Sequence, residues 1–315
     1  MLPAWVSRRK PVCRLVLLFV AANIAAFAGA QGLPKTRVPA ARTIILPLKL
    51  TAGAPATLGV LDSAGHLLPN VVVELSNGQK VTTDATGRAQ FAAPGQAGKF
   101  IAKLSGREIF ATSIVAVAAA NSSDQSSAQS TVVTSSDASS APVQVVSYPR
   151  ALAIHDRFTI EGAGFLGAAD SNRVFLADQP CLVVASSPVS LVVLPGPRTP
   201  VGAITLRVSV AGHDAVQLPV SAVSLEFSGP KEAPDAGTEG EITLSVHGAS
   251  DPLTVEVRNA SPGIIQFPHG SVQRLTTSGG EQNTAAVEMK FLTSGNYTVT
   301  ARLIPTDSAS PPRKN

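Results

Sequence analysis

Apolar and polar side chains alternate in short runs from Thr43 almost to the end of the chain. Period two marks a strand with one buried face. The pattern is strict at Ile204, Leu206, Val208 and Val210. It recurs at Val71, Val73 and Leu75, at Ile242, Leu244 and Val246, and at Leu253, Val255 and Val257. Further strands are predicted over Ile44–Leu46, Ala56–Leu61, Val81–Phe91 on either side of a turn at Asp84–Gly87, Gly98–Ala102, Val223–Phe227, Ala286–Phe291 and Tyr297–Leu303. In Phe158-Thr159-Ile160 the spacing turns Phe158 and Ile160 inward, and Phe165 is expected to plug the same core. Asp62-Ser63-Ala64-Gly65 and Asn77-Gly78 have turn chemistry, the second being a strong hairpin signal. With 25 Gly and 24 Pro, the chain favours frequent turns over long helices.

Breaks in this pattern divide the chain. Residues 1–30 carry Arg8, Arg9, Lys10 and Arg14, an apolar run from Leu15 to Phe27, and the small-x-small end Ala28-Gly29-Ala30. That is the form of a bacterial secretory signal peptide cleaved before Gln31, with an uncleaved anchor as the rival reading. Its apolar core falls short of the ~20 residues of a comfortable membrane span, and nothing later is long and apolar enough to cross. Residues 31–42 read as a flexible lead-in. Between 121 and 141 nine residues are serine, and Val132-Val133 is the one pair of large apolar side chains. Such a segment cannot offset its ordering entropy. As a coil it spans roughly 25 Å, so the first domain is expected to move independently of the second. The predicted fold is all-β, with three tandem sandwiches over 43–120, 142–221 and 222–305, a comparatively rigid junction near Ser221, and a polar tail over 306–315.

The central segment carries the most specific order of features. Valines 143, 145 and 146 lead to the Gly-rich turn Thr159-Ile160-Glu161-Gly162-Ala163-Gly164-Phe165. The run Arg173–Val184 comes next, then Leu191-Val192-Val193-Leu194-Pro195 and Gly202–Val208. This order resembles an IPT/TIG domain, which implies an immunoglobulin-like β-sandwich serving as an interaction or spacer module. In the first domain the valine strand, Thr83-Asp84-Ala85-Thr86-Gly87 and Gly98-Lys99-Phe100 resemble extracellular bacterial Ig-like domains. They are similar also to transthyretin-like, carboxypeptidase-regulatory-like domains. Gly295-Asn296-Tyr297-Thr298-Val299 resembles the penultimate-strand region of Ig-like domains. That resemblance implies a corner tyrosine at Tyr297, its hydroxyl bonded to backbone.

Charge and chemistry narrow the function. The four basic leader residues account for the whole formal charge of +4, so the remainder is neutral with its basic residues dispersed. Nucleic-acid binding needs clustered Lys and Arg and is rejected. There is no Gly-x-Ser-x-Gly, His-Glu-x-x-His or Walker motif. His66, His155, His213, His247 and His269 stand singly, which gives no zinc spacing. Asp84 and Gly87 make a turn rather than a calcium loop. Gly162 and Gly164 precede a strand, where phosphate binding needs a helix. Beyond the leader Cys181 is the sole cysteine, so no internal disulfide forms, and it reads as a small core residue.

No enzyme activity, cofactor or metal is therefore expected. The predicted role is extracellular protein–protein contact, adhesion or spacing by a periplasmic, cell-surface or secreted chain. Its partner would be an extracellular or envelope protein. The alternative is a carbohydrate-binding accessory module. With Trp5 in the leader, that module would rest on Tyr148 and Tyr297, and Tyr148 is the ring expected to be exposed. Loops carry recognition on sandwiches more often than strands do. The candidate contact residues are Phe165, Leu166, Asp170 and Asn172 in one turn, and Gly196, Arg198 and Thr199 in the other.

Overall fold

Strands whose apolar residues all face one way bury them by stacking two sheets, and the chain does this three times over. The computed structural model describes residues 42–106, 108–117, 142–210, 216–230, 232–233, 235–304 and 308–309. The expected leader, the Ser-rich segment, the lead-in up to its last residue and most of the tail lie outside the described residues. More than half of the described residues lie in strands, and the rest form turns and connections, with one 3-10 turn at Ala169–Ser171.

The first domain comprises β1 (Thr43–Ile45), β2 (Lys49–Thr51), β3 (Pro55–Leu61), β4 (Val72–Leu75), β5 (Lys80–Thr82), β6 (Arg88–Ala92), β7 (Gly98–Leu104) and β8 (Phe110–Ala116). One sheet holds β1, β3 and β6, and the other runs β2-β8-β7-β4-β5. Between them lie Leu50, Leu58, Val60, Val73, Phe91 and Phe100, the two rings stacked 5.4 Å apart. Val73 and Leu75 are buried as their alternation requires.

The central domain adds β9 (Gln144–Pro149), β10 (Ala151–Ala153), β11 (Phe158–Ala163), β12 (Asn172–Leu176), β13 (Gln179–Pro180), β14 (Leu182–Ser187), β15 (Ser190–Leu194), β16 (Gly202–Val210) and β17 (Val216–Ser228). Sheets β14-β15-β11-β9 and β13-β12-β16-β17 face each other. They enclose Ile160, Phe165, Leu176, Leu191, Leu206 and Val208. Phe158, Ile160 and Phe165 all point inward, as the spacing predicts. The run Arg173–Val184 is not one strand. It turns at Ala177, whose φ of 53° is left-handed, and β14 then crosses to the opposite sheet.

The third domain holds β18 (Glu232–Ala233), β19 (Glu239–His247), β20 (Thr254–Asn259), β21 (Ile265–Gln266), β22 (Val272–Thr276), β23 (Thr284–Phe291), β24 (Gly295–Asn296) and β25 (Val299–Leu303). Leu244, Val255, Ile265, Phe267, Val287 and Phe291 form its core. The junction between the second and third domains is one uninterrupted strand. The first half of β17 pairs antiparallel with β16 (Leu206↔Leu218), and its second half pairs with β19 (Leu225↔Val246). Within the expected tail, β26 (Ser308–Ala309) returns to pair with β9 of the central domain.

The first domain does not stand apart from the central one. Thr57 of β3 pairs with Ser186 of β14, which joins one sheet of the first domain to one of the central domain. Ile45, Leu61, Val184, Ala185 and Val192 form a fourth, smaller apolar cluster across this seam. The expectation of independent motion is corrected on that account. A Ser-rich connection sets how far the domains could separate, and the docking of their faces is what holds them together.

Candidate functional site

The predicted contact turn after β11 is built inward. At Gly162 a Cβ would stand 2.0 Å from the Gln144 carbonyl oxygen, so only glycine lets β9 approach that closely. The chain then turns through Gly164 at φ 79° and sends Phe165 into the core, where it is 3% exposed. The buried Asn172 side chain ties the loop. Its Oδ1 accepts from the Leu166 N–H at 2.9 Å, and its Nδ2 donates to the Leu166 and Ala168 carbonyls at 2.7 and 2.9 Å. Leu166 lies half-buried against the central core.

The outer side of this turn meets the first domain. The Gly167 carbonyl accepts from both Thr57 Oγ1 and Ser186 Oγ, each at 2.6 Å. A Cβ on Gly167 would fall 2.1 Å from the Pro55 carbonyl oxygen, so the two backbones nearly touch. Asp170 pairs at 2.6 Å with Arg88, which donates a further bond to the Val183 carbonyl at 3.1 Å. The seam ends with Ser187 Oγ bonded to the Lys49 carbonyl at 2.7 Å and the Lys49–Glu161 ion pair at 2.9 Å.

The second predicted turn is held separately. Thr199 is buried and bonds the Gly196 carbonyl through its hydroxyl at 2.8 Å. Gly196 packs against the Pro180 carbonyl, and Arg198 is exposed. The seven candidates thus form no single surface. Phe165, Asn172 and Thr199 lie inside, Asp170 is paired to the first domain, and Arg198 stays open to solvent.

The structure brings together another set, at the meeting of all three domains. The turn between β10 and β11 carries His155, Asp156 and Arg157, closed by the Asp156 N–H bonding the Ala153 carbonyl at 3.1 Å. Leu48 of the first domain and Arg302 of the third face the same space. They line a cleft of about 270 Å³, and an adjoining hollow of about 350 Å³ shares Leu48, Asp156, Arg157, Thr159 and Arg302. Burial raises the Asp156 carboxyl above its ordinary range, against the opposing pull of Arg302, Arg157 and His155. Burial, then repulsion from Arg302, lowers the Arg157 guanidinium, while Asp156 raises it. Among the described residues, no carboxylate comes within ion-pair distance of Arg157 or Arg302. Sequence reasoning missed this set. Asp156 and Arg157 were not singled out, and Arg302 lies within the predicted strand Tyr297–Leu303, far along the chain.

Three residues singled out for chemistry or recognition also find their places. Burial pushes the Cys181 thiol up to about 11, so it is no reactive nucleophile. Tyr148 is 4% exposed in β9, which corrects the expectation of an open ring there. Strict alternation from Val145 would turn Tyr148 outward, but the register of β9 against β11 shifts between Val145 and Ser147, and Tyr148 joins the central core. Tyr297 donates its hydroxyl to the Pro230 carbonyl, the backbone bond that the resemblance implies for a corner tyrosine.

Tandem immunoglobulin-like sandwiches are therefore the class that the fold defines. Residues 143–227 match the model of the IPT/TIG domain, so the central sandwich is such a domain; the match covers less than half of the chain. No curated protein matches the chain. Among solved structures, a Bacteroides thetaiotaomicron protein of unknown function is 16% identical, over 50% of this chain and 39% of its own, with a TM-score of 0.25. This chain thus spans well under two thirds of that relative. The Bacteroides ovatus protein SGBP-B of a mixed-linkage glucan utilization locus was solved with a mixed-linkage heptasaccharide. It is 12% identical over 81% of this chain and 74% of its own, with a TM-score of 0.29. The insect immune protein hemolin is 14% identical over the same shares, with a TM-score of 0.25. Among the described residues, no helix is long and apolar enough to cross a membrane.

Proposed function

We propose that the chain is an exported, non-catalytic protein that holds immunoglobulin-like surfaces at fixed spacing for contact with an extracellular or envelope protein. The observation that supports this most is the way its domains are joined. β17 belongs to two sandwiches at once, and the first domain is bonded to the central one through Thr57, Arg88 and Lys49. Such joints suit a spacer, because they fix the distance between surfaces that a free tether would leave variable. The apolar run and small-residue end of positions 1–30 supply the route of export. A glycan-binding role has weaker support. Tyr148 is buried, and Tyr297 packs 5.8 Å from Phe291 and spends its hydroxyl on backbone. Phe110 is exposed, but the Lys103 ammonium sits 5.6 Å above its ring.

The test is to express the full chain with a C-terminal tag in a bacterial host and fractionate the cells. The mature N-terminus is then sequenced, and a photo-crosslinker at Arg198 is activated on intact cells. The reading expects a product beginning at Gln31 outside the cytoplasm and a discrete crosslinked envelope protein. A cytoplasmic chain with its leader intact, or an exported chain with no adduct at this or other exposed loop positions, sinks it.

A further inference from the structure

We propose that the cleft where the three domains meet binds the oxyanion of a small acidic ligand, held by Arg157 of the central domain and Arg302 of the third. The cleft's volume of about 270 Å³ lies just below the ~300–1,000 Å³ of ordinary small-molecule sites, which suits a ligand of sugar-acid size or smaller. Its walls are apolar where Leu48, Tyr148, Leu152 and Leu303 contribute, and its polar groups converge from two sides.

Charge identifies the ligand. A carboxylate can neutralise an arginine within the fold, as Asp170 does for Arg88, and an aromatic ring can engage one, as Phe175 does for Arg207. Among the described residues Arg157 and Arg302 have no carboxylate within ion-pair distance, although they arrive from separate domains and repel one another. Of the acids lining the cleft, Glu161 is engaged by Lys49 at 2.9 Å. Among the described residues Asp156 is the remaining carboxylate of the lining, and it can balance one of the two guanidinium charges. The excess is a single positive charge in a half-enclosed, partly apolar space, where electrostatic attraction is stronger than in bulk water. A guanidinium offers five donors in a fork that fits a carboxylate or phosphate side-on. An anion bound there would relieve the repulsion and bridge the third domain to the central one.

This inference concerns the folded chain and stands whether or not the protein is exported. Carboxylate and phosphate share the chemistry, so the assay uses both. The purified full chain is titrated calorimetrically with sodium glucuronate, with inorganic phosphate, and with glucose as the neutral control, at constant ionic strength set with chloride. Binding of at least one oxyanion and none of glucose is expected. The preferred oxyanion tells whether the natural ligand is a sugar acid or a phosphate. Arg157→Gln and Arg302→Gln should each weaken binding roughly tenfold, the loss of about one charge-assisted contact. Arg302→Lys keeps the charge without the fork and should fall between. Arg198→Gln, on a turn that lines neither hollow, should bind as the parent does. Far-UV circular dichroism checks the folding of both Gln variants. Failure of both oxyanions to bind, equal binding by all the variants, or glucose matching glucuronate would overturn the proposal.

Discussion

Arg88 ties the first domain to the central one through two contacts, and the size of its contribution can be worked out from them. Its side chain is largely buried, with Nη1 bonded to the Val183 carbonyl at 3.1 Å and Nε to Thr86 Oγ1 at 3.1 Å. Nη2 meets Asp170 at 2.6 Å, but the Asp170 side chain is 81% exposed. Solvent screens that ion pair, and exposed pairs are worth ~0.2–1 kcal/mol. A hydrogen bond from a charged donor to a buried carbonyl is worth ~1.5–3 kcal/mol, and losing it strands the carbonyl. Arg88→Ala is therefore expected to cost about 2–3 kcal/mol, and Asp170→Ala less than about 1 kcal/mol. Urea unfolding of both single variants and the double variant gives the coupling directly, provided that the slopes stay unchanged. If Asp170→Ala costs as much as Arg88→Ala, or their coupling exceeds about 2 kcal/mol, the ion pair dominates and the reasoning fails.

Three further outcomes are expected. Because burial raises the Asp156 carboxyl, the folded chain holds that proton more tightly than the unfolded one does. Stability from this group is then full below its ordinary value of 3.8 and falls as the pH rises through the folded value. Asp156→Asn should accordingly raise the melting temperature at neutral pH, with the gain vanishing in acid; an unchanged or lower value at neutral pH would contradict this. With its thiol pushed up to about 11, Cys181 should react slowly with iodoacetamide at pH 8 and quickly in urea, as mass spectrometry would follow; fast native labelling would count against its burial. Tyr297→Phe removes the bond to the Pro230 carbonyl and should cost about 1 kcal/mol in urea unfolding; a neutral result would deny the corner tyrosine its structural role.

The strands were legible wherever one face is buried and the other wet. Val73 and Leu75, Ile242 to Val246, and Val255 and Val257 lie in strands with their apolar side chains buried as their spacing predicts, while Val71 and Leu253 are buried just ahead of the strands. The seam between the first two domains was not read, although it left a trace. In β3 the residues Ala56 to Leu61 are buried without a break, and in β14 so are Val183 to Ser187. Unbroken burial marks a strand covered on both faces, and the sequence shows it only as a lack of charged residues, because Thr57, Gly59, Ser186 and Ser187 interrupt the apolar runs. The glycines of the seam carry no such signal. At Gly59 a Cβ would lie 2.7 Å from the Val184 side chain, and nothing local to β3 announces that neighbour. The cleft was the least legible feature. Alternation places Arg302 on an outer face, but only the chain's return over the central domain brings it to Arg157.

The strand shared by the second and third domains has a mechanical consequence. Beads on a string yield one at a time under tension, each lengthening the tether while its neighbours survive. Here a pull on either end runs along β17, and tearing away β16 or β19 strips backbone partners from a segment that also serves the next bead. The pair should rupture as one event with one long extension, so a surface carried at its tip would keep its stand-off until both give way.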